Sequence, residues 1–240
     1  MTVLLLRLAG PMQSWGTSSR FVRRGTDRTP SKSGVIGLLA AAQGLRRTDP
    51  LDELLRLRVG VRVEQPGRME RDFQTARTRD GSESMPLSYR FYLADAVFLV
   101  GVEGDSGLLG GLDEALRNPT YPLFLGRRSC PPVGPVSRGL RDGTVPEVLD
   151  REPWSASAWA QKAERRAELD LDTVVDCPPD TPGSDVVRDE PISFDPERRE
   201  YGWRSVRHGR VRVPNPHRPA AVGVSAISTG HDPIAPLGES

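Results

Sequence analysis

The segment GVIGLLAAAQGL, residues 34–45, is apolar around almost its whole circumference. A helix on the surface of a globular domain carries a polar stripe, so one built like this has to be covered on both sides. The pattern predicts a helix near 34–45, N-capped by Ser31 or Ser33 and ending close to Gly44. Gly34, Gly37, Ala40, Ala41 and Ala42 let neighbours approach closely. The chain must therefore place this helix between a sheet and a further part of the molecule. Its 240 residues suffice for one large domain, or for a core domain with a smaller addition.

The flanking patterns supply the sheet. Val3–Leu8 reads as a buried strand, and LRVGVRVE, with Val59, Val61 and Val63 alternating, as a second. LADAVFLVGVE (93–103) is a third strand, VSRGL (136–140) a fourth, and Gly107–Arg117 a second helix. Residues 72–90, DFQTARTRDGSESMPLSYR, are polar and read as a long hairpin excursion projecting from the sheet. Strand, helix, strand, strand, helix, strand is the ferredoxin-like order, which the RNA-recognition motif shares, and its four-stranded sheet leaves one face free. The expected class is α+β. A ferredoxin-like (RRM-like) N-terminal domain spans 1–145, a smaller β-containing C-terminal region 146–206, and a Pro- and Gly-rich tail 207–240, mostly extended or mobile. Within the C-terminal region, 155–168 reads as an amphipathic helix, and 171–176, 186–194 and 201–206 as strands.

A formal net charge of +1 hides a polarised chain. The first 47 residues carry eight basic side chains against the single acid Asp27, while residues 147–200 carry 15 acids against seven bases. Such asymmetry points to a first half that binds a polyanion and a second half that meets a basic partner or stays solvated. Only Lys32 and Lys162 are lysines; a bias toward arginine explains Arg over Lys, but not the scarcity of acids. No run approaches the roughly 20 apolar residues of a membrane span, so no membrane partner is expected, and the first residues do not read as a signal peptide. Cys130 and Cys177 form no metal signature and no disulfide framework, which fits a reducing cytoplasmic setting.

The residues argue against catalysis. His208, His217 and His231 all lie in the last 33 residues, where order is expected to be weak. The folded part then lacks the usual general base for metal-free phosphodiester cleavage. No zinc, Walker-type or nucleophile-elbow spacing occurs, and no cofactor or metal is expected. Asp72, Asp80 and Glu83 read as solvated loop charges. Cys130 follows Arg127 and Arg128, which would lower its pKa, but without a histidine partner a small buried thiol is the better reading.

Binding is better supported. The loop GPMQSWGTSSRFVRRGTDRTPSKSG joins Trp15 to the amide and hydroxyls of Gln13, Ser14, Ser18 and Ser19, followed by Arg20, Arg23 and Arg24. Arginines pair with phosphates bidentately, hydroxyls add neutral contacts, and an aromatic side chain can stack on an unpaired base. Trp15 has two readings, stacking on a base or packing into the core. Ser31, Lys32 and Ser33 at the helix entry offer amides, hydroxyls and an ammonium to an anion. LGRRSCP repeats the logic with Gly126, Arg127, Arg128 and Ser129; one arginine can reach a phosphate while the other packs or pairs internally.

LLLRLAGPMQSWG, PSKSGVIGLLAAAQGL, YPLFLGRRSCP and RDEPISFDPERREYGW, in this order, resemble the CasD family, a subunit of the type I-E CRISPR surveillance complex Cascade. The blocks span residues 3 to about 206. The resemblance implies a repeat-associated RNA-binding protein with a protruding thumb between the second and third strands. It also implies a role that is not enzymatic: gripping the 5′ handle of the crRNA, seating beside the terminal Cascade backbone subunit, and helping to dock the large subunit, with target DNA reached through the complex. Gln13, Ser14, Trp15, Arg20, Arg23 and Arg24 would lie along the handle, Ser31, Lys32 and Ser33 near its phosphates, and Arg127, Arg128 and Ser129 would form a second wall. The 72–90 excursion would be the thumb, with Arg77 and Arg79 on the RNA backbone. The alternative is a metal-independent endoribonuclease that processes CRISPR precursor RNA, as a related type I-C subunit does.

Overall fold

The N-terminal strand β1 (Thr2–Ala9) is apolar on both faces because it is an interior strand of a sheet covered on both sides. The computed structural model describes residues 1–17 and 23–218. After β1 come β2 (Met12–Gln13), β3 (Arg23–Arg24), α1 (Lys32–Gln43), α2 (Asp52–Leu55) and β4 (Arg58–Gln65). A hairpin of β5 (Arg68–Gln74) and β6 (Ser88–Ala94) leads to β7 (Val97–Gly104), α3 (Ser106–Arg117) and β8 (Ser137–Asp142). The chain continues through α4 (Val145–Arg151), α5 (Ala158–Ala163), β9 (Glu168–Asp176), β10 (Asp185–Ser193) and β11 (Glu200–Pro214). The result is α+β, with one seven-stranded antiparallel sheet in the order β10-β11-β9-β4-β7-β1-β8. A smaller sheet joins β2, β5 and β3 to β6.

Side-chain alternation along β1 sorts the core into two layers. Leu4, Leu6 and Leu8 join Val59, Val61, Phe98 and Val100 under α1 and α3. Val3, Leu5 and Leu99 face the other way, onto Val145, Val148 and Leu149 of α4. The open sheet face expected from the RNA-recognition pattern is therefore covered. Gly60 and Gly101 are cross-strand partners that make room for this cover. A Cβ on Gly60 would sit 2.3 Å from Val145 Cγ1. Arg62 and Glu64, both fully buried on β4, fasten the segment that follows α4. Arg62 donates to the carbonyls of Leu149, Glu152 and Pro153, and Glu64 accepts the Ser155 amide.

The C-terminal strands extend this same sheet, because β9 pairs directly with β4. Residues 207–214, expected within an extended or mobile tail, are the second half of β11, paired with β9 from Val206 to Pro214. Val211 and Val213 pack with Trp154, Leu169 and Leu171, while Arg210–Asp172 and Arg212–Asp170 pair across the outer face at 3.0 Å each. Residues 219–240 of the expected tail lie outside the described residues. The helix expected over 155–168 is only the six-residue α5. Asn215 Nδ2 donates to the carbonyls of Gln161, Glu164 and Arg166, closing that segment, and Glu168 onward is taken into β9. The strand expected over 93–103 is interrupted at Asp95, whose φ of 55° turns the chain from the hairpin into β7.

A buried charge cluster locks these strands to α1. Lys32 Nζ lies 3.1 Å from Asp176 and 2.9 Å from Glu190, and the Lys32 amide donates to Asp189 Oδ2 at 2.8 Å. Arg204 pairs with Asp176 and Asp189. Burial opposes the Arg204 charge, but its bonds to Asp189 and the charges of both aspartates outweigh that and raise its pKa.

Two outcomes are expected in denaturant melts. Lys32→Met leaves Glu190 without its cation and Asp176 with Arg204 alone, and should cost about 3 kcal/mol. Gly60→Ala forces its new methyl onto Val145 and should cost about 1–3 kcal/mol, of which Val145→Ala in the same chain recovers part.

Candidate nucleic-acid interface

The first turn of α1 does not present an open anion site. Ser31 caps it by accepting from the Gly34 amide at 3.2 Å, and the Asp189 carboxylate already occupies the Lys32 amide. Lys32 is buried and paired twice. The expectation that its ammonium meets a phosphate is corrected: the anions at this helix entrance belong to β9 and β10. Ser33 is half-buried, 3.3 Å from the Ser31 hydroxyl.

Gln13, Ser14 and Trp15 also turn inward. Gln13 Nε2 donates to the carbonyls of Leu8 and Ala96, Ser14 Oγ to that of Phe91, and Trp15 Nε1 to Gln13 Oε1. Trp15 is 1% exposed and packs against Gly34 of α1, which decides between its two readings in favour of the core. Its amide donates to Thr26 Oγ1 and its carbonyl accepts from the Asp27 amide. These bonds bring the two ends of the arginine-rich loop together. Asp27 accepts from the Thr17 amide, and burial raises its carboxyl above the ordinary range against that bond.

The loop's exposed output is basic. Arg23 and Arg24 form β3, which pairs in parallel with Tyr89 and Arg90 of β6. Arg20 lies outside the described residues. About 100 residues later, the Gly126 turn returns beside this strand. Gly126 has φ +82°, and a Cβ there would fall 1.7 Å from Ser14 O, so glycine is required. Arg127 Nη2 donates to Arg24 O at 2.8 Å and Gly25 O at 3.2 Å, and its guanidinium lies over the Tyr92 ring at 4.7 Å. Its Nη1 is buried with no hydrogen-bond partner among the described residues. Arg128 and Ser129 are exposed. One arginine packs while its neighbour faces solvent, as the adjacent pair suggested. Cys130 is buried, and that burial raises its thiol pKa despite Ser129 and Arg127.

Arg77 and Arg79 are exposed in the hairpin tip, beyond the last β5–β6 pair, Gln74 with Ser88. Asp80, in the same tip, accepts from Ser82, and hydrogen bonds from Thr78 and Ser82 hold its carboxyl at about 2. Among the described residues no group of three His, Cys, Asp or Glu side chains is arranged to hold a metal. His208, expected in a weakly ordered tail, sits exposed on β11, 3.4 Å from Asp185. It lines a cleft of about 920 Å³ with Arg28, Thr29 and Arg210.

Sequence reasoning missed a second groove, of about 550 Å³, lined by Ser31 and Ser33 at the entrance to α1. Its floor is Gly37, Ala40 and Ala41 of α1, and its rim carries Arg46, Arg47, Tyr121, Arg199 and Tyr201. The adjacent Arg46–Arg47 pair was visible only as bulk charge, and nothing local ties residues 199–201 to α1. The charge cluster at Lys32 makes that connection.

Residues 3–207 match the model of the CRISPR-associated protein (Cas_Cas5) family. The chain is 32% identical over 185 residues to the CRISPR system Cascade subunit CasD of Escherichia coli (strain K12), covering 67% of this chain and 81% of that one. A solved CRISPR RNA-guided surveillance complex contains a chain that is 36% identical, with a TM-score of 0.73 over 92% of this chain and 95% of its own. The crystal structure of a Cas protein gives 36% identity and a TM-score of 0.69 over 90% and 97%. Sequence and overall structure thus agree, and the chain belongs to the CRISPR-associated Cas5 family.

Proposed function

We propose that this protein is a non-catalytic, cytoplasmic subunit of a Cascade-type CRISPR surveillance complex that grips the 5′ handle of the guide RNA and caps the complex's backbone. It carries the family's sequence over most of its length, and its relatives are named as a Cascade subunit and as part of an RNA-guided surveillance complex. The order β4-β7-β1-β8, connected through α1 and α3, supports the ferredoxin-like core. In this reading the β5–β6 hairpin is the thumb, with Arg77 and Arg79 on the RNA backbone. The backbone subunit and the large subunit are the protein partners, and target DNA is reached through the assembled complex.

The observation that carries the reading is Arg127. Its guanidinium is stacked on Tyr92 and tied to the 24–25 carbonyls, yet one nitrogen has no acceptor among the described residues. Stacking and the carbonyl bonds fix this guanidinium at the base of the loop, where it orients the neighbouring exposed arginines that can pair with phosphate oxygens. Arg23, Arg24, Arg128 and Ser129 surround it with exposed donors. Gln13, Ser14, Trp15, Ser31 and Lys32 act from behind, holding the loop and the helix entrance in place. His208 pairs with Asp185 and lines a cleft that contains none of these arginines, which supports binding over cleavage.

The test is a reconstituted complex carrying Arg127→Ala with Arg128→Ala. Guide RNA affinity is expected to fall about tenfold. The slope of affinity against salt should become shallower by about one for each phosphate that an arginine no longer neutralises. The unaltered protein is expected to leave repeat RNA intact. Specific cleavage just upstream of the handle would overturn the reading in favour of a processing endoribonuclease.

A further inference from the structure

Six strand arginines are committed to the chain's own acids: Arg58, Arg62, Arg141, Arg204, Arg210 and Arg212 all pair internally. The guanidinium groups of Arg46, Arg47 and Arg199 have no ion pair or hydrogen bond among the described residues, and all three are exposed on the rim of one groove. No aspartate or glutamate lines that groove. It is therefore a cationic site, and the fold has not neutralised it.

Its other walls are aromatic and hydroxylic. Tyr121 is held at the C-terminal end of α1 by its amide, which donates to Ala41 O at 3.2 Å. Phe194 lies over Gly37, 3.7 Å from where a Cβ would stand. Tyr201 and Phe124 complete the apolar sides, and Ser31 and Ser33 supply hydroxyls at the opposite end from Arg46 and Arg47. The small residues of α1 form the floor, so the space exists because positions 37, 40 and 41 carry little or no side chain. About 550 Å³ lies within the range of small-ligand sites. Flat aromatic walls, uncommitted guanidiniums and hydroxyls together match a base, a phosphate and a sugar better than an acidic peptide, which offers no π face.

We propose that this groove seats one unpaired nucleotide of the guide RNA, its base stacked against Tyr121 and Tyr201 and its phosphates held by Arg46, Arg47 and Arg199. The assignment rests on the RNA-binding reading above and extends it from the ends of the arginine loop, whose Trp15, Ser31 and Ser33 line the groove, to three arginines outside that loop, Arg46, Arg47 and Arg199. Gly37 is then a specificity position: a larger side chain would fill the seat between α1 and Phe194 without touching a charge.

The experiment uses the assembled complex with guide RNAs carrying 2-aminopurine at successive handle positions. One position is expected to be quenched by stacking, and both Tyr201→Ala and Gly37→Leu should relieve the quench. Arg46→Ala with Arg47→Ala should weaken RNA binding roughly tenfold and reduce the salt slope by about two. If these variants change neither fluorescence nor affinity while Arg127→Ala still costs RNA, the groove assignment is wrong and the RNA-binding function stands. If Arg127→Ala is silent as well, the RNA-binding reading fails with it. Release of a protein subunit with RNA retained would show that the groove holds a protein segment, which also overturns the proposal. Unchanged thermal melts for the exposed arginine variants exclude misfolding as the cause.

Discussion

The Lys32 ammonium, held between Asp176 and Glu190 beneath the surface, is the contact on which the rest of the molecule depends. It joins the first turn of α1 to strands about 150 residues later, and Arg204 braces Asp176 and the neighbouring Asp189 from β11. Taking these charges out of water is expensive, so only the complete set is tolerable. Once it forms, α1 has a fixed entrance, Trp15 packs against Gly34, and the loop ending at Asp27 closes over them. The 194–201 turn is brought alongside α1 by the same anchor. Both the arginine surface and the α1 groove are therefore products of one internal electrostatic match.

That match also explains the charge asymmetry of the chain. The acid-rich second half is in part the counter-charge of the first: Asp176, Asp189 and Glu190 neutralise Lys32 and Arg204 inside, while Asp170 and Asp172 balance Arg212 and Arg210 outside. Arg23, Arg24, Arg46, Arg47 and Arg128 form no such ion pairs among the described residues, and they gather where α1, β3 and the Gly126 turn meet solvent. A fold that pairs cations where it can, and leaves these exposed together, has a surface suited to a polyanion.

Much of the architecture was legible where the pattern was long. The apolar run of β1 requires cover on two sides and receives it; the all-round apolar α1 is covered by the sheet, while its small residues Gly37, Ala40 and Ala41 remain open as the groove floor. The seven-residue α4 is too short to show a period, so the face it covers looked open until Gly60 and Gly101 were seen to make space for Val145. β11 reads short in the sequence because His208, Gly209 and the prolines beyond mask an Arg–Val alternation that is plain once Leu169 and Leu171 lie opposite. At the interface, residue type named the right chemistry but not its direction. Gln13, Ser14, Trp15 and Lys32 look like ligand contacts, and each is consumed internally by a partner distant in sequence. No local signal distinguishes a lysine for phosphate from a lysine for a buried aspartate. Arg46, Arg47 and Arg199 were missed for the same reason in reverse.

Photo-crosslinking in the assembled complex, with 4-thiouridine placed through the guide RNA handle and adducts mapped by peptide, is the most direct test of this surface. Adducts are expected on residues 23–24, 46–47, 121–129 and 199–201, with none on α4 or on the outer face of β9 and β11. Adducts confined to those covered or outer surfaces, or absent from this chain altogether, would contradict the assignment.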